Sequence, residues 1–299
     1  MKKVEVDSGA GFCFGVDQVI KTAETHLREG TPLFGLGEMV HNSQEVLRLE
    51  ALGLKTINHD ELGKIKSGKV LLRAHGEPPA TYRLAREHDI EIIDGTCPIV
   101  TRLQKKIAKV YSRMDSDTQQ LVIFGKSDHP ETIGLLGQVD GDAIVVNSRK
   151  DIPAVDPTKG VLLFSQTTMD PELYKEVEEG LKAHLNQSAN LKEGGLLQSD
   201  CTICGQMKRR KPVLAAFAKD YDLVLFVSGK NSANGKMLYE YCKSVNPITH
   251  WISGVKDIDP WWLQDVESIG ISGATSTSMD QLQKVKEEVI NLNKISYDR

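Results

Sequence analysis

Short, almost wholly apolar runs alternate along the chain with amphipathic stretches. The runs KVLLRA (69–74), EIID (91–94), QLVIFG (120–125), DAIVV (142–146), GVLLFS (160–165), DLVLFV (222–227) and SIGIS (268–272) have strand length. Apolar residues at nearly every position predict strands covered on both faces, as in parallel sheets. Between them, VTRLQKKIAKVYSRM (100–114) and PVLAAFAKDY (212–221) place apolar residues three or four apart and predict helices. This alternation predicts an α/β chain built on parallel sheets. The polar, glycine-containing stretch from Leu185 to Ser199 is the expected linker.

Polar residues placed after the apolar runs recur in a threefold order. DSGAGFC ends at Cys13, DGTC at Cys97 and SDCTIC at Cys204. A second set follows 28, 32 and 30 residues later, with His41 and Asn42 in EMVHNS, His129 and Glu131 in GKSDHPE, and Ser232 and Asn234 in SGKNSAN. A third set comprises His75 in RAHGEPP, Thr167 and Thr168 in SQTTMDPEL, and Ser276 in SGATSTSMDQL. The cysteines are 84 and 107 residues apart, too irregular for a solenoid but suited to three similar α/β units around a common centre. Ligands of parallel sheets sit beyond the carboxyl ends of the strands. Three units facing one another would therefore gather these residues in one cavity.

Composition narrows the chemistry. The 299 residues carry 37 Lys and Arg against 41 Asp and Glu, a net charge of −4. That excludes a general nucleic-acid or membrane-surface binder, which needs a basic excess. No run is long and apolar enough to span a bilayer. MKKVEVDSGAGFC has no apolar core or cleavage site of a signal peptide, so a cytoplasmic location is expected. In a reducing compartment each of the five cysteines is a core residue, a nucleophile or a metal ligand.

Three converging thiolates make a metal site, either zinc or an iron–sulfur cluster with one iron lacking a protein ligand. Cys201 and Cys204 form the one CxxC pair. The third residue after Cys13, Cys97 and Cys204 is apolar (Val16, Val100, Met207), whereas after Cys201 it is Cys204, so register favours Cys204. Cys242, within MLYEYCKSV, is expected to be a small core residue. The histidines, hydroxyls and asparagine amide suit an anion, aided by backbone N–H groups where helices start. No Walker or Rossmann glycine pattern points to a nucleotide. His26, His59, His88, His184 and His250 are expected at the surface or in packing. Glu131 is open to two readings, a general acid raised by burial or a helix-start glutamate favoured by the dipole.

The pieces GFCFGV, VHN, AHGEPP, DGTCPIVT, HPET with GLLGQV, SQTT, TIC, KNSAN and GATS follow one another from Gly11 to Ser276. In their order and wording they resemble the IspH (LytB) family of 4-hydroxy-3-methylbut-2-enyl diphosphate reductases. The resemblance implies a trefoil of three pseudo-equivalent α/β units with small parallel sheets around a central iron–sulfur site. The units are expected over 14–96, 97–200 and 201–299, with residues 1–13 contributing Cys13. The site implied is one [4Fe–4S] cluster per chain, ligated by Cys13, Cys97 and Cys204. The diphosphate pocket maps onto His41, His75, His129, Ser232, Asn234 and Ser276. The proton donor maps onto Glu131, assisted by the Thr168 hydroxyl, with His129 beside them. The implied reaction is a two-electron reductive dehydroxylation of the allylic diphosphate to isopentenyl and dimethylallyl diphosphates. This is the last step of the methylerythritol phosphate isoprenoid pathway. The implied electron donor is a ferredoxin or flavodoxin, and no nucleic-acid or membrane partner is implied.

The chain departs from the family pattern at four places. GQMKRRK follows TIC where AT..RQ is usual, Ala233 replaces a serine, Ser278 stands where proline is usual, and Arg73 precedes AHG where a small residue is common. Two competing readings share the plan: a non-redox iron–sulfur lyase similar to quinolinate synthase, and a non-catalytic metal or iron–sulfur protein. The HPE and SQTT segments weigh against the latter, since a closed structural site has no use for them.

Overall fold

The computed structural model describes residues 2–186, 197–230 and 232–297. It is an α/β structure with three small parallel sheets and helices, the class predicted from the alternation of runs. By compactness the chain forms two units, residues 1–56 with 209–299, and residues 57–208.

In the first unit a four-stranded sheet runs in the order Lys3–Val6, Ser268–Gly273, Leu223–Val227, Thr249–Ile252. All three pairings are parallel, with Val4 opposite Ile269 and Leu225 opposite Ile271. The strand LVLFV is buried at every position because both faces are covered. Leu223, Leu225 and Val227 pack with Leu282, Val285 and Val289 of the helix Met279–Tyr297. Val224 and Phe226 point the other way, onto Leu214, Ala218, Leu238 and Cys242. Cys242 is thus the core residue expected. Lys3–Val6 is an edge strand of alternating exposure, which is why its KVEV pattern did not read as a buried run.

In the second unit the sheet order is Ile144–Val146, Gln119–Phe124, Gly160–Ser165, Leu197–Ser199, again all parallel. The helix Pro98–Tyr111 covers it through Leu103 and Ile107, which meet Leu121, Ile123, Leu162 and Phe164. Lys69–Leu72 and Glu91–Asp94 pair in parallel nearby in the chain, with Leu72 opposite Asp94. Parallel pairing sends all carboxyl ends of a sheet to one edge, so loops distant in sequence emerge side by side.

Two expectations are corrected. Leu185 closes the helix Pro171–Leu185, and Leu197–Ser199 is a strand opposite Val161–Leu163, so neither end of the 185–199 stretch is linker; residues 187–196 lie outside the described residues. The helix expected from Pro212 begins at Gly205 and carries Pro212 inside it. The hydrophobic period starts late because the first turns are glycine, glutamine and the KRRK run. Among the described residues, no helix is long and apolar enough to cross a membrane.

Candidate functional site

Three neighbouring strands of the second unit lead into loops that carry five of the expected residues. Gln119–Phe124 leads to His129 and Glu131, Gly160–Ser165 to Thr167 and Thr168, and Leu197–Ser199 to Cys204. Phe124 lies opposite Ser165, so the first two loops leave the sheet together. The third is tied to the second, since the Cys204 N–H donates to the Thr167 carbonyl at 2.9 Å. Thr202 locks the same junction, accepting from Ser165 N at 2.8 Å and donating to Ser165 O at 2.6 Å.

Glu131 lies in the first turn of the helix Pro130–Leu136 and is 1% exposed. Its N–H donates to His129 Nδ1 at 3.1 Å, so His129 caps the helix. Its carboxylate accepts from the Thr167 N–H at 2.6 Å and from Thr167 Oγ1 at 2.8 Å. Burial disfavours the charged form and pushes the carboxyl up to about 7, while the two Thr167 bonds pull the other way. The neighbouring Thr168 is only partly buried, and its hydroxyl accepts from Gln166 Nε2 at 2.6 Å. Gln166 in turn accepts from Lys126 N and Thr132 Oγ1. Thr167, expected among the strand-end groups but not paired with Glu131 there, is therefore the residue bonded to Glu131. SQTT offered both hydroxyls, and no local signal separates them.

Cys97 and His75 follow the paired strands Glu91–Asp94 and Lys69–Leu72, and the Cys97 N–H donates to the Ala74 carbonyl at 3.0 Å. The His75 ring meets His129 edge-on, with centroids 5.2 Å apart. The His75 loop is stiffened by Glu77, a buried carboxylate bonded to His59 Nε2 at 2.7 Å and Thr81 Oγ1 at 3.2 Å, with Arg73 at 3.4 Å. Arg73, unusual in the sequence pattern, thus has a local ion-pair partner. Gly76 has φ +74°, and a Cβ there would stand 2.7 Å from Gln104 Nε2, so glycine is required between His75 and Glu77.

Within the first unit the loops beyond the strands are likewise cross-linked. The Cys13 N–H donates to the Thr275 carbonyl at 3.2 Å, and Thr275 Oγ1 accepts from Asn234 Nδ2 at 2.7 Å. Asn42, buried beside His41, donates to the Ser276 carbonyl at 3.0 Å and to Gln281 Oε1 at 2.9 Å. Ser232 caps the helix Ala233–Val245 by accepting from Gly235 N at 3.0 Å. His41 Nδ1 lies 4.0 Å from Glu38. A Cβ on Gly229 would meet the His41 carbonyl at 3.0 Å, so this close approach uses the missing side chain. His41, Ser232, Asn234, Ser276 and Cys13 therefore belong to one connected set of loops. Thr275 and Gln281 are the partners that sequence reasoning did not include, whereas Asn42 stands in the EMVHNS set.

The thiols separate by position. Cys13 and Cys97 are the residues before the helices Phe14–Arg28 and Pro98–Tyr111, and Cys204 stands directly before Gly205–Lys219. A helix N-terminus favours a thiolate. At Cys204 burial outweighs this and holds the thiol above its ordinary range; the N–H groups of Met207 and Gln206 bring it down, and the charges of Glu131 and Cys97 push it up. Cys201 has no such place, and Cys242 is in mid-helix. Within the second unit the charge of Cys97 is felt at Cys204, and thiolates are soft donors suited to a metal or cluster.

Comparison with known proteins places the chain in a family. A sequence profile of the LytB protein family matches residues 4–290. A 4-hydroxy-3-methylbut-2-enyl diphosphate reductase of Bacteroides thetaiotaomicron is 48% identical over 97% of this chain and 98% of its own. One of Bacteroides fragilis is 47% identical with the same coverage. Among solved structures, (E)-4-hydroxy-3-methyl-but-2-enyl diphosphate reductase, the terminal enzyme of the non-mevalonate pathway, matches with a TM-score of 0.73 and 31% identity, covering 97% of this chain and 100% of that one. An E-1-hydroxy-2-methyl-but-2-enyl-4-diphosphate reductase from Plasmodium falciparum shares the fold with a TM-score of 0.80 at 23% identity, over 97% of this chain and 87% of that one. A profile match over nearly the whole length and relatives this similar show that the chain belongs to the LytB family.

Proposed function

We propose that this chain is an oxidoreductase that converts 4-hydroxy-3-methylbut-2-enyl diphosphate to isopentenyl and dimethylallyl diphosphates. The observation that carries the reading is Glu131: a buried carboxyl, raised to about 7, held by Thr167 and within electrostatic reach of Cys204. A structural metal site has no need of such a group, whereas a reductive dehydroxylation needs a proton donor for the departing hydroxyl. The names of the relatives agree with that reaction.

Cys13, Cys97 and Cys204 are proposed to hold a [4Fe–4S] cluster, one per chain. Such a cluster supplies electrons and an open iron that can polarise the substrate alcohol. The protein's own part is to bind, orient and deliver protons. His41, His75, His129, Ser232, Asn234 and Ser276 are assigned to the diphosphate, offering hydrogen-bond donors for its oxygens. Glu131 donates the proton, and the partly buried Thr168 hydroxyl is assigned to relay it. Thr167 holds the Glu131 carboxyl by two bonds, leaving the acidic proton free to point toward substrate. The electron donor is assigned as a ferredoxin or flavodoxin, and the location as cytoplasmic. The three sheets, drawn from residues 33–94, 119–199, and 3–6 with 223–273, support a division into units 14–96, 97–200 and 201–299.

The test is anaerobic purification with iron and sulfide analysis and an EPR spectrum, with and without the allylic diphosphate. About four irons and four sulfides per chain and a ligand-perturbed signal are expected. Stoichiometric zinc without labile sulfide overturns the reading. Turnover of substrate without electron uptake would favour the lyase reading instead.

A further inference from the structure

One buried charge pair plays no part in the chemistry above, and it stands where the chain turns toward Cys13. Asp7 is the first residue past the strand Lys3–Val6, and Arg210 is the buried member of the KRRK run. Their side chains are 3% and 4% exposed and 2.8 Å apart, Arg210 Nη1 to Asp7 Oδ2. Ser272 completes the set. Its hydroxyl donates to Asp7 Oδ2 at 2.8 Å and accepts from Arg210 Nη2 at 2.7 Å, while Nη2 also donates to the Gly273 carbonyl at 3.1 Å.

We propose that Asp7, Arg210 and Ser272 are positioning residues for Cys13. This rests on the assignment of Cys13 as a cluster ligand. Asp7 Oδ1 accepts from the Gly9 N–H at 2.8 Å, and the Asp7 carbonyl accepts from the Ala10 N–H at 3.0 Å. The loop from Asp7 is thereby wound onto the charge pair. A Cβ on Gly9 would lie 2.7 Å from Val213 Cγ1, 3.2 Å from Asp7 Oδ1 and 3.3 Å from Arg210 Nη1, so the backbone passes over the pair with no side chain between. Gly11, at φ +104°, turns the chain, and the Cys13 N–H then reaches Thr275 at the other end. The six residues leading to the thiol are thus anchored at both ends.

Stability alone is a poor reason for this arrangement. Buried ion pairs often contribute no more than apolar side chains of similar volume. Arg210 Nε is also buried without a partner among the described residues, a further cost. What the pair supplies is direction: one carboxylate collects three donors from three separate segments and fixes where the loop leaves the sheet. Lysine cannot replace the forked guanidinium that reaches Asp7, Ser272 and Gly273 together.

The test uses the full chain with Arg210→Lys, and with the double change Asp7→Leu and Arg210→Met, which removes both charges and leaves neither buried alone. The first readout is alkylation of each cysteine in the cluster-free chain, followed by mass spectrometry. Cys13 is expected to react about tenfold faster in both variants through local opening of its loop, with Cys97 and Cys204 unchanged. The second readout is the rate at which the reconstituted cluster bleaches in air, expected to rise several-fold while the urea midpoint of the double variant stays near that of the parent. An unchanged Cys13 rate overturns the proposal. So does a uniform rise at all three cysteines in step with a lower midpoint, which is the mark of a purely structural pair. The alkylation pattern is read without a cluster, so failure of iron incorporation would count against the proposed function and not against this inference.

Discussion

Replacing Glu131 with glutamine changes one proton site and almost nothing else. The glutamine carbonyl can accept from the Thr167 N–H and its amide can donate to Thr167 Oγ1, so the two bonds now made at 2.6 and 2.8 Å keep their partners. The difference lies in pH dependence. Glu131 is raised from an ordinary 4.5 to about 7 in the folded chain, chiefly by burial. Below pH 4.5 it is protonated whether folded or unfolded and has no effect on stability. Between pH 4.5 and 7 the folded state holds a proton that the unfolded state has released, so stability falls as pH rises through this window. At ~1.4 kcal/mol for each tenfold difference in proton affinity, the total loss is about 3 kcal/mol. The glutamine variant has no such slope. Urea unfolding of the cluster-free chain at pH 4.5, 6 and 8 is the assay. The variant should match the parent at pH 4.5 and exceed it by about 3 kcal/mol at pH 8, since all other titrations cancel in the difference. Parallel profiles for parent and variant would refute the argument that burial holds this carboxyl neutral. In the reconstituted enzyme the same variant should retain its iron and lose on the order of a hundredfold or more in turnover, the usual scale for a lost general acid.

Cys204→Ala should lose iron on reconstitution while Cys201→Ala keeps it, because only Cys204 stands at a helix N-terminus beside Cys97 and Glu131; equal iron in the two variants would contradict this. Thr167→Val removes the hydroxyl that helps hold the Glu131 carboxylate, so the basic limb of the rate–pH profile should move to higher pH, and a downward move would exclude the assigned role. Gly235→Ala would drive a Cβ into Ser228 Oγ and should destabilise the chain by about 1–3 kcal/mol in urea unfolding. Adding Ser228→Gly should recover most of that loss, and no recovery would locate the strain elsewhere.

Much of the α/β scaffold is legible in the chain, because strands covered on both faces leave an unbroken apolar record. GVLLFS and EIID match their strands residue for residue. Strands at edges leave a weaker one: Lys3–Val6 alternates, and Leu197–Ser199 is polar at two of its three positions and reads as linker. Their assignment depends on partners far away in sequence. The Asp7–Arg210 pair is of the same kind, since nothing local connects residues 203 positions apart.

Residue type and order along the chain were enough to single out Cys13, Cys97 and Cys204, to set aside Cys242, and to mark Glu131 as an acid or a cap. Those conclusions follow from local chemistry, the spacing of thiols and the polarity of their neighbours. The structure alone decided that Glu131 is buried, that Thr167 and not Thr168 is bonded to it, and that Arg210 anchors the loop of Cys13. Each of these depends on register. Successive residues beyond a strand point in different directions, and which of them meets Glu131 is set by Phe124 lying opposite Ser165, a pairing that only the assembled sheet specifies.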